Sequence, residues 1–225
     1  MKRILTSAAL CAALTSVAYA DNNEIFVTQS GNNNQIGNAD HPATQQGIYN
    51  DMTFRQSGND NVIGASSNPA RLQGAVQTGN DHVMEVSQPG HRNQAVRLHQ
   101  DGGNHSDMFI RQSGNDNELG FIRQNGDKHW ADITQSGNDN NGNARQVGSN
   151  NVLMARQSGN GNDFDILSGD FGVGTRPGAC HGCDVTLIQS GNANYSNVWQ
   201  QGSNQMASIT QSGNNNTAYT KQSPN

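Results

Sequence analysis

Cys180-His181-Gly182-Cys183 is the one short stretch of this chain whose spacing could do chemistry by itself. Two thiols three positions apart can close a disulfide, exchange as a dithiol pair or contribute to a metal site. Haem attachment needs His directly after the second Cys, and Asp184 stands there. A zinc site needs two further ligands, and no second Cys pair exists. In an oxidising compartment a disulfide between Cys180 and Cys183 is the expected state. Exchangeable thiols or a metal are the alternatives.

The remaining chemically capable residues recur in fixed places. His82, His105 and His129 each stand five residues after a Gln, where other segments have Asn. They read as one hydrogen-bonding side chain replacing another, with a pH-sensitive step in assembly as the alternative. Asp60, Asp81, Asp116 and Asp139 recur as Gly-Asn-Asp. A Ca²⁺-binding nonapeptide coil needs Gly-Gly-x-Gly-x-Asp at a period of about nine, and the spacing here is longer. Solvated turn carboxylates that slow assembly by repulsion are expected instead. Arg55, Arg111, Arg123, Arg145 and Arg156 each precede a Gln and should face outward. They form either a solvated face or a basic stripe for anionic polymers. No nucleophile–base pair, phosphate loop or carboxylate pair stands out, so neither an enzyme nor a cofactor is expected.

A repeat positions these residues. The pattern Gln-x-Gly-x-x-(Asn/His/Gln) begins at 14 glutamines: Gln29, Gln45, Gln56, Gln77, Gln88, Gln100, Gln112, Gln124, Gln135, Gln146, Gln157, Gln189, Gln200 and Gln211. Seven of the gaps are 11 residues and three are 12, and Gln222 follows Gln211 by another 11. Within a unit, residues alternate: Asn50, Met52, Phe54 and Gln56 on one side, Asp51, Thr53 and Arg55 on the other. Period-two alternation over seven residues is a β-strand with one buried face. The next four residues, such as Ser57-Gly58-Asn59-Asp60, are turn chemistry. Ser-Gly after Gln recurs at about twice the unit length, which makes strand–turn–strand–turn one coil. The expectation is an all-β chain: a β-solenoid of stacked strand–turn–strand coils forming two parallel sheets.

Stacked coils would align identical amides, each carbonyl accepting from the neighbouring amide. The amide-ladder set comprises the glutamines above other than Gln100 and Gln124, with Gln222, and Asn50, Asn61, Asn117, Asn140, Asn151, Asn162, Asn194 and Asn216. Ser67 and Ser168 fall where Gln is expected, 11 residues after Gln56 and Gln157. Residues 37–43 and 169–182 read as loop insertions, and the 12-residue gaps as bulges or longer turns. Counting the degenerate units gives about 17 strands, or roughly eight coils, and a rod about 40 Å long. No cap is recognisable at either end, so further copies could add there.

Residues 1–20 read as a cleaved secretory signal: Lys2 and Arg3, an apolar run from Ile4 to Val17, then Ala18-Tyr19-Ala20. The mature chain, 21–225, would keep 11 basic against 18 acidic residues, which argues against nucleic-acid binding through phosphates. No later segment is apolar enough to span a membrane. Hydrophobic residues are only 32% of the chain, too few for an ordinary two-layer core.

Gln-x-Gly-x-x-Asn, then five residues and another Gln, in tandem after a secretory signal, resembles the curlin repeat of curli fibre subunits. The resemblance covers Ile25 to Gln222. It implies a structural subunit of an extracellular functional amyloid at the cell surface, acting in biofilm matrix and adhesion. The implied partners are further copies of itself, another curli-type subunit or nucleator, and an outer-membrane curli secretion pore with its chaperones. The chain has no Gly-rich export segment before the repeats and no Lys/Arg-rich final repeat, so the choice between major subunit and nucleator stays open. A monomeric β-solenoid adhesin or binding module is the alternative. An ice-binding face would want Thr columns, and Thr28, Thr53, Thr134 and Thr210 are scattered.

Overall fold

Alternation puts Met52, Phe54 and Gln56 on one face of a strand, and that strand can hide this face only against a second sheet. The computed structural model describes residues 22–64, 74–169 and 178–224; the expected signal segment lies outside them. They form a β-solenoid of eight coils with two parallel sheets and, among the described residues, no helix.

The first sheet takes one unbroken strand from each coil: Glu24–Ser30, Asp51–Ser57, Val83–His91, Asp107–Asn115, Trp130–Asn138, Val152–Asn160, Asp184–Asn192 and Met206–Ser212. The second has 13 strands, because five of its eight sides are split. Coil one gives Gln35–Ile36 and Thr44–Gln46, coil two Val62–Ile63 and Ala75–Asn80, coil three Gln94–Ala95 and Leu98–Asn104. Coils four and five give Glu118–Asp127 and Asn141–Ser149 whole. Coil six gives Asp163–Ser168 and Cys180–His181, coil seven Tyr195–Gln200 and Gly202–Ser203, and coil eight Thr217–Gln222.

Along the first sheet register is kept residue for residue. Gln112 pairs with Gln135, Gln135 with Gln157, and Gln157 with Gln189. Sixteen sides, not 17 strands, account for the repeat. Gln77, not Ser67, holds the Gln place of coil two, pairing with Gln45 and Gln100. Ser67 lies outside the described residues, in the interval between Val62–Ile63 and Ala75–Asn80. Ser168 does hold a Gln place, in register with Gln146 and Gln200. The three 12-residue gaps are two bulges, at Val96-Arg97 and at Gly120, and one extra residue at Gly102-Gly103 inside the strand Leu98–Asn104.

The core is thin and packed by columns. Met52, Met84 and Met108 stack along the first sheet beside Phe54, Val86 and Ile110. Leu98, Ile122 and Ile166 line the second. Each fully buried side chain of this size contributes about 1.5–3 kcal/mol. Large residues sit next to small ones. An added Cβ on Gly142 would lie 2.3 Å from the Phe164 ring, so Phe164 occupies the volume that Gly142 gives up. The turns need glycine for two reasons, as at Gly137. Its φ is +107°, and an added Cβ would meet the carbonyl oxygen of Gly159 in the next coil at 2.0 Å.

Candidate functional site

The first sheet ends in eight stacked glutamines: Gln29, Gln56, Gln88, Gln112, Gln135, Gln157, Gln189 and Gln211. Each Nε2 donates to the Oε1 of the next coil, from Gln29 to Gln56 at 2.7 Å through Gln189 to Gln211 at 2.8 Å. The second amide hydrogen crosses the core. Gln112 donates to the Gln94 carbonyl at 2.9 Å, and Gln157 to the Asn141 carbonyl at 3.0 Å. An interior Gln therefore uses both amide hydrogens and ties the two sheets together. Left unpaired, such a buried group costs about 1–3 kcal/mol.

The second sheet carries the other column. Gln45, Gln77, Gln100, Gln124 and Gln146 link in the same direction at 2.8–3.1 Å. Ser168 interrupts it. Gln146 donates to the carbonyls of Trp130 and Asn151, while Ser168 donates its hydroxyl to Gln200 Oε1 at 3.2 Å. Gln200 then donates to Gln222 at 2.8 Å.

The turn leaving the first sheet holds Asn34, Asn61, Asn93, Asn117, Asn140, Asn162, Asn194 and Asn216. Here the donors point the other way. Asn140 Nδ2 donates to Asn117 Oδ1 at 2.9 Å, and Asn216 to Asn194 at 2.9 Å. The same Oδ1 also accepts the next backbone N–H, as from Asn140 N to Asn117 at 3.2 Å. Asn Nδ2 additionally donates to a glycine carbonyl in the following coil, Asn140 to Gly159 at 2.9 Å. Only a primary amide offers this set of donors and acceptors. Asn34 and Asn93 fit the sequence pattern as well as the asparagines singled out from it.

The turn leaving the second sheet is more permissive. Its slot is filled by Asn23, Asn50, His82, Ser106, His129, Asn151, Cys183 and Gln205. Asn23, Asn50, His82, Ser106 and Asn151 aim an acceptor at the next coil's N–H, whereas His129 and Cys183 do not. Asn50 Oδ1 accepts from His82 N at 3.1 Å, His82 Nδ1 from Ser106 N at 3.2 Å, and Ser106 Oγ from His129 N at 3.2 Å. His105 is not in this column. The extra residue at Gly102-Gly103 moves it into the turn at φ +57°, where it is exposed, and Ser106 takes the buried place. Burial pushes the His82 and His129 imidazoles below their ordinary pKa, so both favour the neutral form.

Cys183 occupies the same slot, its N–H donating to Asn151 Oδ1 at 2.9 Å. Its sulfur is bonded to Cys180 rather than presented to the next coil. Both cysteines are buried. Cys180 pairs with Gly148 and Gly202, in the column that elsewhere holds glycine. Asp60, Asp81, Asp116 and Asp139 sit at φ +55 to +58° on the outside of the turns. Among the described residues no group of His, Cys, Asp and Glu could hold a metal ion.

The model of the curlin associated repeat matches residues 184–213. Over that stretch the chain is similar to the curlin repeat. The matched stretch is coil seven together with the whole first strand of coil eight, Met206–Ser212. It contains Gln189, Asn194, Gln200 and Gln211, one member of each Gln column and of the Asn column, plus the next Gln of the first column. The Gln and Asn columns of the matched stretch run on through the other described coils. No curated protein matches the chain. No helix among the described residues is long and apolar enough to cross a membrane.

Proposed function

We propose that this curlin-repeat chain is secreted and polymerises end-on into a curli-type extracellular amyloid fibre, serving biofilm matrix and surface adhesion. The observation that carries this reading is the opposed polarity of the ladders. At the coil-eight end, Gln211 and Gln222 present amide hydrogens, and Asn216 presents an unfilled Oδ1. At the coil-one end, Gln29 and Gln45 present Oε1, and the Asn34 N–H occupies the place from which every later Asn in that column donates upward. A second copy set head-to-tail would continue all three columns, whereas head-to-head would put donor against donor. The apolar rows match too: Ala207 and Ile209 would meet Ile25 and Val27. Junction hydrogen bonds contribute about 0.5–1.5 kcal/mol each, and both sheets gain a full row.

On this reading the partners are further copies, a second curli-type subunit or nucleator, and the secretion pore with its chaperones. Cleavage after Ala20 precedes export. The purified chain, incubated and followed by thioflavin T fluorescence and electron microscopy, should form fibres that seed fresh monomer. A monomer that stays soluble for days, with or without seeds, refutes the reading and favours a monomeric adhesin.

A further inference from the structure

The outer face of the second sheet changes character toward its last coils. Apart from Phe121, every Phe, Tyr or Trp that the alternation turns outward on this sheet, among the described residues, stands in coils seven and eight: Tyr195, Trp199 and Tyr219. Register sets Asp165 of coil six beside Asn197 of coil seven, and Tyr219 of coil eight on its other side. Tyr195 and Tyr219 meet edge to face with 5.7 Å between ring centroids, and Asn197 Nδ2 donates to the Tyr195 hydroxyl at 3.4 Å. Cross-strand pairing accounts for that contact. It leaves Tyr219 76% exposed and Trp199 only half-buried.

Asp165, Leu167, Asn197, Val198 and Trp199 line an open cavity of ≈ 270 Å³ beside these rings. That volume is just under the usual range for a ligand pocket, so it suits one unit of a longer ligand. Tyr195 and Trp199, four residues apart on one strand, extend the surface over about 13 Å. The surrounding chemistry disfavours two ligand classes. Lys221 Nζ lies 3.9 Å from the Trp199 ring centroid on the coil-eight side, so the ring's attraction for a cation is met within the chain. The cavity lies toward coil six, where Asp165 and Leu167 form its other wall. Its one charged lining residue is Asp165, with Asp163 two positions away on the same face, so an anion would be repelled. A neutral ligand with apolar faces and hydroxyl groups remains.

We infer that Trp199, Asp165 and Asn197 bind a neutral polysaccharide whose hexopyranose rings carry equatorial hydroxyls, a function separate from end-on assembly. Such rings present C–H groups above and below and hydroxyls around the rim. The indole and phenol rings take a C–H face. The Asp165 carboxylate accepts from the hydroxyls, and the Asn197 amide both donates and accepts. The patch points away from the rod axis, so a stacked copy leaves it open.

The test measures binding of fluorescent cellohexaose, a β-linked glucose oligomer, to the soluble purified chain by polarisation, against oligogalacturonate. The readout does not depend on fibre formation. Cellohexaose should bind several-fold more tightly than oligogalacturonate. Trp199→Ala should weaken cellohexaose binding about tenfold or more, and Trp199→Tyr, which keeps a ring, should recover part of the loss. Asp165→Ala, at an exposed side chain, should weaken it several-fold. Phe109→Ala removes an outward ring from the first sheet and should shift it less than about twofold. Circular dichroism checks that each variant keeps the fold, and Asp165→Ala serves if Trp199→Ala does not. No binding of cellohexaose, equal losses in Trp199→Ala and Phe109→Ala, or tighter binding of oligogalacturonate overturns the assignment.

Discussion

One half of every coil never varies where the other half has drifted. The first strand and its turn keep Gln, Gly and Asn in all eight coils, from Gln29, Gly31 and Asn34 to Gln211, Gly213 and Asn216. The opposite half has admitted Ser168 for Gln, Cys180 for Gly, and His82, Ser106, His129, Cys183 and Gln205 for Asn. Every insertion and both bulges lie on that side. The hydrogen bonds explain why. Asn140 donates through Nδ2 to Asn117 Oδ1 and to the Ser136 and Gly159 carbonyls, and its Oδ1 accepts from N and Nδ2 of Asn162, a set no other short side chain can make. The opposite slot asks for at most one acceptor, which Nδ1 of His82 or Oγ of Ser106 supplies. One strict face holds the register, and the other is free to carry loops and a disulfide.

The sharpest way to break this comparison is at the glycines. Gly137→Ala, on the strict side, combines a positive φ with a Cβ driven onto the Gly159 carbonyl and should cost about 3 kcal/mol or more. Gly102→Ala, at φ +67° with nothing within 4 Å, should cost about 1–2 kcal/mol. Denaturant midpoints of the two variants decide it, and equal losses would erase the distinction. Gln135→Ser should cost about 2–3 kcal/mol, because it breaks a ladder link and a cross-core bond together. Gln146→Ser, beside the natural break at Ser168, should cost about half as much.

Mild acid probes the permissive turn through its two buried imidazoles. Neutral His82 and His129 are favoured in the fold, so below their ordinary value of 6.5 the unfolded chain takes up protons that the folded one resists. Stability should therefore fall as pH drops below about 6.5. His82→Asn with His129→Asn should flatten the slope between about pH 4 and 6.5, as read from unfolding midpoints. An unchanged slope would assign acid sensitivity elsewhere. The smallest effect is expected from replacing the disulfide by the residues of the regular coils. Cys180→Gly with Cys183→Asn gives up about 2 kcal/mol of loop constraint and regains the amide slot, leaving thermal stability nearly unchanged.

The strict half was legible in the sequence because its period survives every coil. The permissive half was harder to read for a physical reason. The extra chain before Ala75 is nearly one repeat long, so it imitates a degenerate strand and put Ser67 where Gln77 belongs. The added residue at Gly102-Gly103 likewise left His105 and Ser106 equally eligible for the buried slot, and only packing chooses Ser106.

Solid-state NMR on fibres grown from two populations, one ¹⁵N-labelled and the other ¹³C-labelled at glutamine, reads the junction between copies directly. Head-to-tail stacking predicts intermolecular contacts from Gln211 Nε2 to the Gln29 side chain and from Gln222 Nε2 to Gln45. Contacts between Gln29 and Gln29, or between Gln211 and Gln211, would contradict a polar fibre, and glutamines without any intermolecular contact would contradict the amide ladders as its assembly surface.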